Sequence, residues 1–382
     1  MKENNLIYNI DATHSGSTSS RRFIIAGGGT GGHIFPAIAI ANALRKIDPN
    51  TEILFVGAKG KMEMEKVPQA GYAIKGLSIA GFNRSSLVKN ITLPFKLIKS
   101  FWQVRKIVNE FKPTAAIGVG GYSSFPVLKY CQTKGIKTFI HESNSFAGKS
   151  NILLGKKATK IFVASDGMEK FFPKNKIIVS GNPIRRSIAE NSILRDEAIG
   201  FFNLNANKKI VLVIGGSLGA KSINEAIALG LDGFVKNDIQ LIWQTGKSIA
   251  DQFAQSAKDK KGIWVNAFIE KMDMAYAAAD VVVSRSGAMS VAEICAIKKP
   301  AILVPYPFAA EDHQTANAMH LANKNAAILI KDENVIVDLV NSVIALVENT
   351  AAQKTMGNAI SKFAITNADE VIASQIILNI EL

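Results

Sequence analysis

The sequence predicts an α/β fold of two Rossmann-like parallel-sheet domains facing each other across a cleft. Three observations predict it. Short β-branched runs end in glycine-rich turns and lead into helical stretches, the rhythm pauses near residue 181 and restarts after Asn207, and 382 residues exceed what one hydrophobic core usually organises. Strands alternating with helices imply parallel sheets covered on both faces, and a restart implies a second such unit.

The first series of strand-like runs covers residues 22–26, 52–56, 115–119, 138–141, 160–164 and 177–180. The second covers 209–214, 240–244, 262–266, 281–284 and 301–305. Turn residues cluster between them at Gly181-Asn182-Pro183, where the hinge is expected. The organisation read from this is a mobile lead-in at 1–20, a first domain at 21–182, a second at 183–368, and a last helix at 369–382 that crosses back to the first.

With 48% hydrophobic and 20% charged residues, the chain has an ordinary globular composition. Cys131 and Cys295 lie far apart in apolar surroundings, with no metal-ligand spacing, and read as buried thiols in a reducing compartment. The lead-in lacks a signal-peptide core and no run of about 18 apolar residues exists, so a cytoplasmic protein that spans no bilayer is expected.

A net charge of +14 and a pI near 9.6 call for an anionic partner. Between Glu65 and Glu110 every charged residue is basic. Large apolar side chains interleave with those cations, as an interfacial membrane patch requires, whereas the stacking rings and polar base readers of a nucleic-acid site are scarce. Phe82, Leu87, Val88, Lys89 and Ile91, joined by Lys96 and Lys99, are the candidate patch. From Pro94 onward Leu97, Ile98, Phe101, Trp102 and Val108 recur at helical spacing, and packing of that helix on the sheet is the expectation there.

The first strand runs into Gly27-Gly28-Gly29-Thr30-Gly31-Gly32-His33 and then a helix, which offers bare backbone and a helix N-terminus to an anion. The dinucleotide fingerprint it spells needs an acid at the end of the second strand, and Phe55-Val56-Gly57 has none, so NAD or FAD is excluded. Gly215-Gly216-Ser217-Leu218-Gly219-Ala220 opens the second domain in the same way and suits a diphosphate. Ser284-Arg285-Ser286-Gly287-Ala288-Met289-Ser290 is a third strand-to-helix turn, and Glu293, three residues on, is either a capping-box acid or a carboxylate for ribose hydroxyls.

These motifs, with Gly118-Val119-Gly120-Gly121-Tyr122, His141-Glu142-Ser143-Asn144, Gly181 to Arg185 and Asp312-His313-Gln314-Thr315-Ala316-Asn317, occur in an order that resembles the MurG family of bacterial N-acetylglucosaminyltransferases, in glycosyltransferase family 28. The resemblance runs from about Arg21 to about Ala327. It implies a GT-B fold, UDP-N-acetylglucosamine as donor held mainly by the second domain, and a lipid-linked acceptor, lipid I, at the cytoplasmic side of the inner membrane. Carried over by position, Thr30, Gly31, Gly32, Asn144, Arg185, Ser217, Ile269 and Gln314 are donor contacts, Glu293 the ribose ligand, and Ala288, Met289, Ser290 and Asn317 line the same pocket. Ser143 and His313 depart from the family pattern, where glutamines are common, which puts fine contacts to the sugar in doubt.

The reaction expected is a single inverting displacement at the anomeric carbon by the acceptor's C4 hydroxyl. His33 is the candidate base, since an imidazole works near neutral pH; Glu142 is the alternative, and His141 ends the same strand. Ser217, Arg185 and helix N-termini would stabilise the departing diphosphate, and without a DxD-like carboxylate pair the expectation is metal-independent chemistry with no cofactor. The alternatives are another GT-B enzyme or a UDP-N-acetylglucosamine epimerase, and a non-catalytic nucleotide-sugar-binding scaffold.

Overall fold

In the computed structural model, residues 20–79, 93–190, 192–216, 219–246 and 250–381 are described. Among them, β1 (Arg22–Ala26), β2 (Glu52–Ala58), β3 (Ala73–Leu77), β4 (Ala115–Gly118), β5 (Lys137–Glu142), β6 (Lys160–Val163) and β7 (Ile177–Val179) form a sheet of order 3-2-1-4-5-6-7. A second sheet, of order 10-9-8-11-12-13, contains β8 (Lys209–Ile214), β9 (Ile239–Gln244), β10 (Ile263–Asn266), β11 (Val281–Arg285), β12 (Ala301–Val304) and β13 (Ile328–Leu329). Pairing is parallel throughout, from Phe23 against Ala115 in the first sheet to Val281 against Val211 in the second. All eleven strand-like runs are strands; β3 and β13 are additional. Lys75 and Gly76 break the β-branched pattern of β3, and β13 is a two-residue edge, so neither carries a propensity signal.

Strand order reverses beside β1 and beside β8. The C-terminal ends of β1 and β4, and of β8 and β11, are therefore topological switch points, where open α/β sheets leave a crevice for ligands. Both glycine-rich turns and the turn after β11 stand there.

Helices cover both faces of each sheet. The helix Ala368–Glu381 buries Ile372, Ala373, Ile376 and Ile377 beside Ile34 and Ile40 of the helix Gly31–Ile47, so the chain's last helix packs with the first sheet. Each isoleucine so buried contributes roughly 1.5–3 kcal/mol. Between the sheets the backbone turns at Gly181 with φ +77°, where a Cβ would lie 2.7 Å from Ile365.

Cys131 and Cys295 are both buried, and burial pushes each thiol up to about 12. The helix Leu93–Phe111 corrects an expectation. Only its later part is core: Val104 and Val108 are buried, whereas Phe95, Ile98 and Trp102 are 74%, 59% and 67% exposed. Its first turns leave these apolar side chains uncovered, so helical spacing there does not mark a packed face. Phe82, Leu87, Val88, Lys89 and Ile91 lie outside the described residues, as does the lead-in through residue 19.

Candidate active site

The first glycine turn is built around backbone conformations that a side chain would obstruct. Gly28 and Gly29 adopt φ of +146° and +90°, and a Cβ on Gly121 would come 2.3 Å from the Gly28 carbonyl oxygen. The turns after β1 and β4 are thus interlocked, with Gly28 N–H donating to the Gly120 carbonyl at 3.3 Å. Thr30, exposed, is the N-cap residue of the helix Gly31–Ile47 and makes no side-chain cap bond, so the first N–H groups of that helix face outward.

His33 sits in the first turn of that helix. Its Nδ1 is 3.1 Å from the Gly28 carbonyl oxygen, an acceptor, so Nδ1 carries the proton and Nε2 the lone pair. A Cβ at Gly120 would lie 2.7 Å from Nε2, so only glycine leaves that edge of the ring unobstructed. The side chain keeps part of its surface open, yet surrounding atoms desolvate the ring and hold its pKa below the ordinary histidine value.

Across the cleft the helix Ala288–Ile297 starts at Gly287, whose backbone is extended, with no side-chain cap. Ser290 is therefore inside the helix, and the capping-box reading of Ser290 with Glu293 falls away. A Cβ on Gly32 would approach Met289 Cγ to 3.9 Å, which sets the two helix N-termini against each other. Partial positive charge from both ends faces the same gap.

Glu293 is buried beneath this start. It takes a paired hydrogen bond from Arg185, Nε to Oε1 at 2.9 Å and Nη2 to Oε2 at 3.0 Å, and a third from the Tyr276 hydroxyl at 3.1 Å. Burial pushes the Glu293 carboxyl up while Arg185 draws it down. Arg185 and Glu293, both expected to touch donor, meet each other, and Tyr276, buried in an apolar helix, carried no signal in the sequence.

Several other candidates occupy unexpected positions. His141 is 1% exposed, its Nε2 3.4 Å from the Gly181 carbonyl oxygen, and desolvation lowers it to about 4; it belongs to the hinge interior and does not reach the cleft. Ile269 places its side chain in the second domain's core, so any donor contact there is through main chain. Asn317 accepts from Ser145 N–H at 2.9 Å and donates to Asn144 Oδ1 and to the Ser286 carbonyl, clasping the two domains. Gln314 accepts from Tyr306 N–H at 3.0 Å.

Glu142 is buried and fully engaged: Oε1 accepts from Asn144 N–H and Nδ2, and Oε2 from Gly148 N–H and Asn151 Nδ2 at 2.8 Å. Four donors occupy both carboxylate oxygens, so neither is left free to meet a substrate hydroxyl. Ser217 lies outside the described residues; its neighbours keep the turn, with Gly216 at φ +81° and Gly219 packed where a Cβ would meet the Thr245 carbonyl. Among the described residues no cluster of three or more metal-ligating side chains occurs.

Two family models match the chain: the glycosyltransferase family 28 N-terminal domain over residues 23–163 and the C-terminal domain over 210–373. The chain belongs to glycosyltransferase family 28. It is 51% identical over 359 residues, 93% of this chain and 95% of the relative, to the UDP-N-acetylglucosamine–N-acetylmuramyl-(pentapeptide) pyrophosphoryl-undecaprenol N-acetylglucosamine transferase of Phocaeicola vulgatus. The crystal structure of Acinetobacter baumannii MurG superimposes with a TM-score of 0.75 at 27% identity, covering 94% of this chain and 99% of that one. A UDP-GlcNAc 2-epimerase from Neisseria meningitidis shares the fold alone, at TM-score 0.66 and 14% identity over 94% of this chain and all of that one. This family 28 glycosyltransferase thus has the GT-B architecture, and Glu63, absent from every motif above, is the buried carboxylate nearest its first glycine turn: Oε2 accepts from Gly29 N–H at 2.8 Å.

Proposed function

We propose that this enzyme transfers N-acetylglucosamine from UDP-N-acetylglucosamine to the C4 hydroxyl of the N-acetylmuramyl residue of lipid I, giving lipid II. The observation that carries the reading is the opposition of the two uncapped helix starts, Gly31 and Ala288, with His33 beside one and Glu293 beneath the other. The helix Ala288–Ile297 and the turn after β8 hold the donor's diphosphate and nucleoside. Glu293 meets the ribose, and Arg185 favours its ionised form against burial and holds it in place. His33 Nε2 takes the acceptor proton as the C4 oxygen bonds to the anomeric carbon. UDP leaves with the electron pair of the broken bond, its charge met by helix N-termini.

The test is direct. Purified enzyme given radiolabelled UDP-N-acetylglucosamine and a short-chain lipid I analogue is expected to yield labelled lipid II; a folded, UDP-binding protein that yields none would refute the transfer.

For a lipid-bound acceptor the enzyme must meet a membrane surface. Among the described residues no single helix is long and apolar enough to cross one. Phe95, Ile98 and Trp102, with Lys96 and Lys99 exposed between them, form the surface we assign to that contact. Replacing Lys96 and Lys99 by glutamate is expected to weaken binding to vesicles containing phosphatidylglycerol by about tenfold or more, each lysine near an anionic surface contributing about 1 kcal/mol. UDP affinity stays unchanged. Undiminished sedimentation with vesicles would remove this assignment.

A further inference from the structure

Glu63 is a buried carboxylate with no cation paired to it among the described residues. It is 1% exposed, and its partners are two backbone N–H groups: Oε2 accepts from Gly29 at 2.8 Å and Oε1 from Ala58 at 2.9 Å. Two glycines make room for it. A Cβ on Gly28 would lie 2.3 Å from its Cδ, and one on Gly57 2.5 Å from its Cγ. The carboxylate therefore bridges the end of β2 to the first glycine turn, at the residue after the one whose carbonyl holds His33 Nδ1. Burying an unpaired carboxylate is costly, and two N–H groups offset only part of the cost. Such a group persists where it fixes something else.

We propose that Glu63 is a positioning residue: it locks the first glycine turn in the conformation that presents His33 to the acceptor hydroxyl, and its charge supports the proton that His33 acquires. This rests on His33 acting as the base. The turn's unusual φ values at Gly28 and Gly29 are held by the Oε2 bond, and Gly28 in turn orients the imidazole. The charged groups that act on His33 are Glu142 from the end of β5, His313 from the opposite domain and Glu63 from the segment after β2, while the buried, neutral His141 is itself lowered by His33. Burial opposes the imidazolium most and His313 adds to that, while the Gly28 carbonyl, Glu142 and, more weakly, Glu63 favour it.

The Glu63→Gln variant keeps the side chain's shape but removes the charge and turns an N–H donor toward a backbone N–H. In the full-length enzyme, kcat is expected to fall about 10- to 100-fold, as small misplacements of a reacting group do. Donor KM should stay within about twofold and the acid limb of kcat should move to lower pH, because an imidazolium that loses a neighbouring negative charge deprotonates more readily. Wild-type kcat with an unmoved limb would overturn the proposal. Equal losses in kcat and in donor affinity with no shift in the limb would also overturn it, as general loosening of the turn. Should Glu63→Gln not fold, Glu63→Asp retains the charge but is too short to reach both N–H groups; it should lower kcat with the limb unmoved, and normal turnover would reject the role. If His33→Asn proves active, the base reading fails on its own account. The imidazole of His33, titrated by NMR in wild type and Glu63→Gln, then decides: a lowered pKa in the variant upholds the link between Glu63 and His33, and an unchanged one rejects it.

Discussion

Replacing His33 by asparagine will lower kcat by about 10²- to 10⁴-fold, the range a positioned general base supplies, while UDP affinity stays within about threefold. Asparagine can keep the donor bond to the Gly28 carbonyl that Nδ1 makes, so the turn is preserved and only the Nε2 lone pair is lost. His33→Ala should be as inactive as the asparagine variant, since both lack the proton acceptor. The pH dependence follows from desolvation of the ring. Because the folded pKa lies below 6.5, the neutral, competent imidazole predominates at and above neutral pH, and kcat falls only as pH drops through that lowered value. An acid limb above 6.5, or one that survives in His33→Asn, would assign the limb to another group.

A second histidine bounds that measurement. His141 is held near 4 by burial, so its folded pKa lies below its unfolded one. The stability tied to its neutral form is present above pH 6.5 and is lost as pH falls from there through about 4, on the order of 3 kcal/mol in all. Activity recorded in that window needs a parallel measure of folded fraction, so that loss of the proton acceptor is not confused with loss of the hinge.

Glu293→Ala is expected to raise the Kd for UDP about 100-fold, near 3 kcal/mol, because it removes the ribose acceptor and strands partners built around it. Arg185 loses a bidentate pair and Tyr276 is left with a buried hydroxyl lacking an acceptor. The ribose assignment has its own readout. Wild-type enzyme should bind 2′-deoxy-UDP about tenfold more weakly than UDP, the loss expected when a hydrogen bond to a charged group is removed, and Glu293→Ala should hardly distinguish the two by calorimetry. Retained discrimination in the variant would transfer the ribose contact elsewhere. Glu293→Gln, which keeps an acceptor for Tyr276 but not the charge, should lie between wild type and alanine.

What the sequence could and could not reveal divides by the range of the interaction. Strands such as β1 and β8 were legible to the residue because β-branched runs and the glycine turns that stop them are local signals. The glycine motifs were legible for the same reason, and so was the family, since an ordered set of turns leaves little freedom for the chain between them. Helical spacing in 93–111 misled, because periodicity reports one apolar face and not what covers it; half of that face is bare.

Glu63 reads in sequence as one charge among several on a short polar helix, and only the void left by Gly28 and Gly57 makes it a buried strut. Glu142 and His141 stand adjacent on one strand, yet alternation sends one into a nest of four donors and the other into the hinge. By itself the sequence determined eleven of the thirteen described strands, the division into two series and the glycine turns, because backbone propensity and close approach are encoded where they act. Tertiary structure alone decided which carboxylate is saturated, which is paired to Arg185, and which imidazole is shut into the hinge, because burial and partnership belong to residues that meet only after the chain has folded.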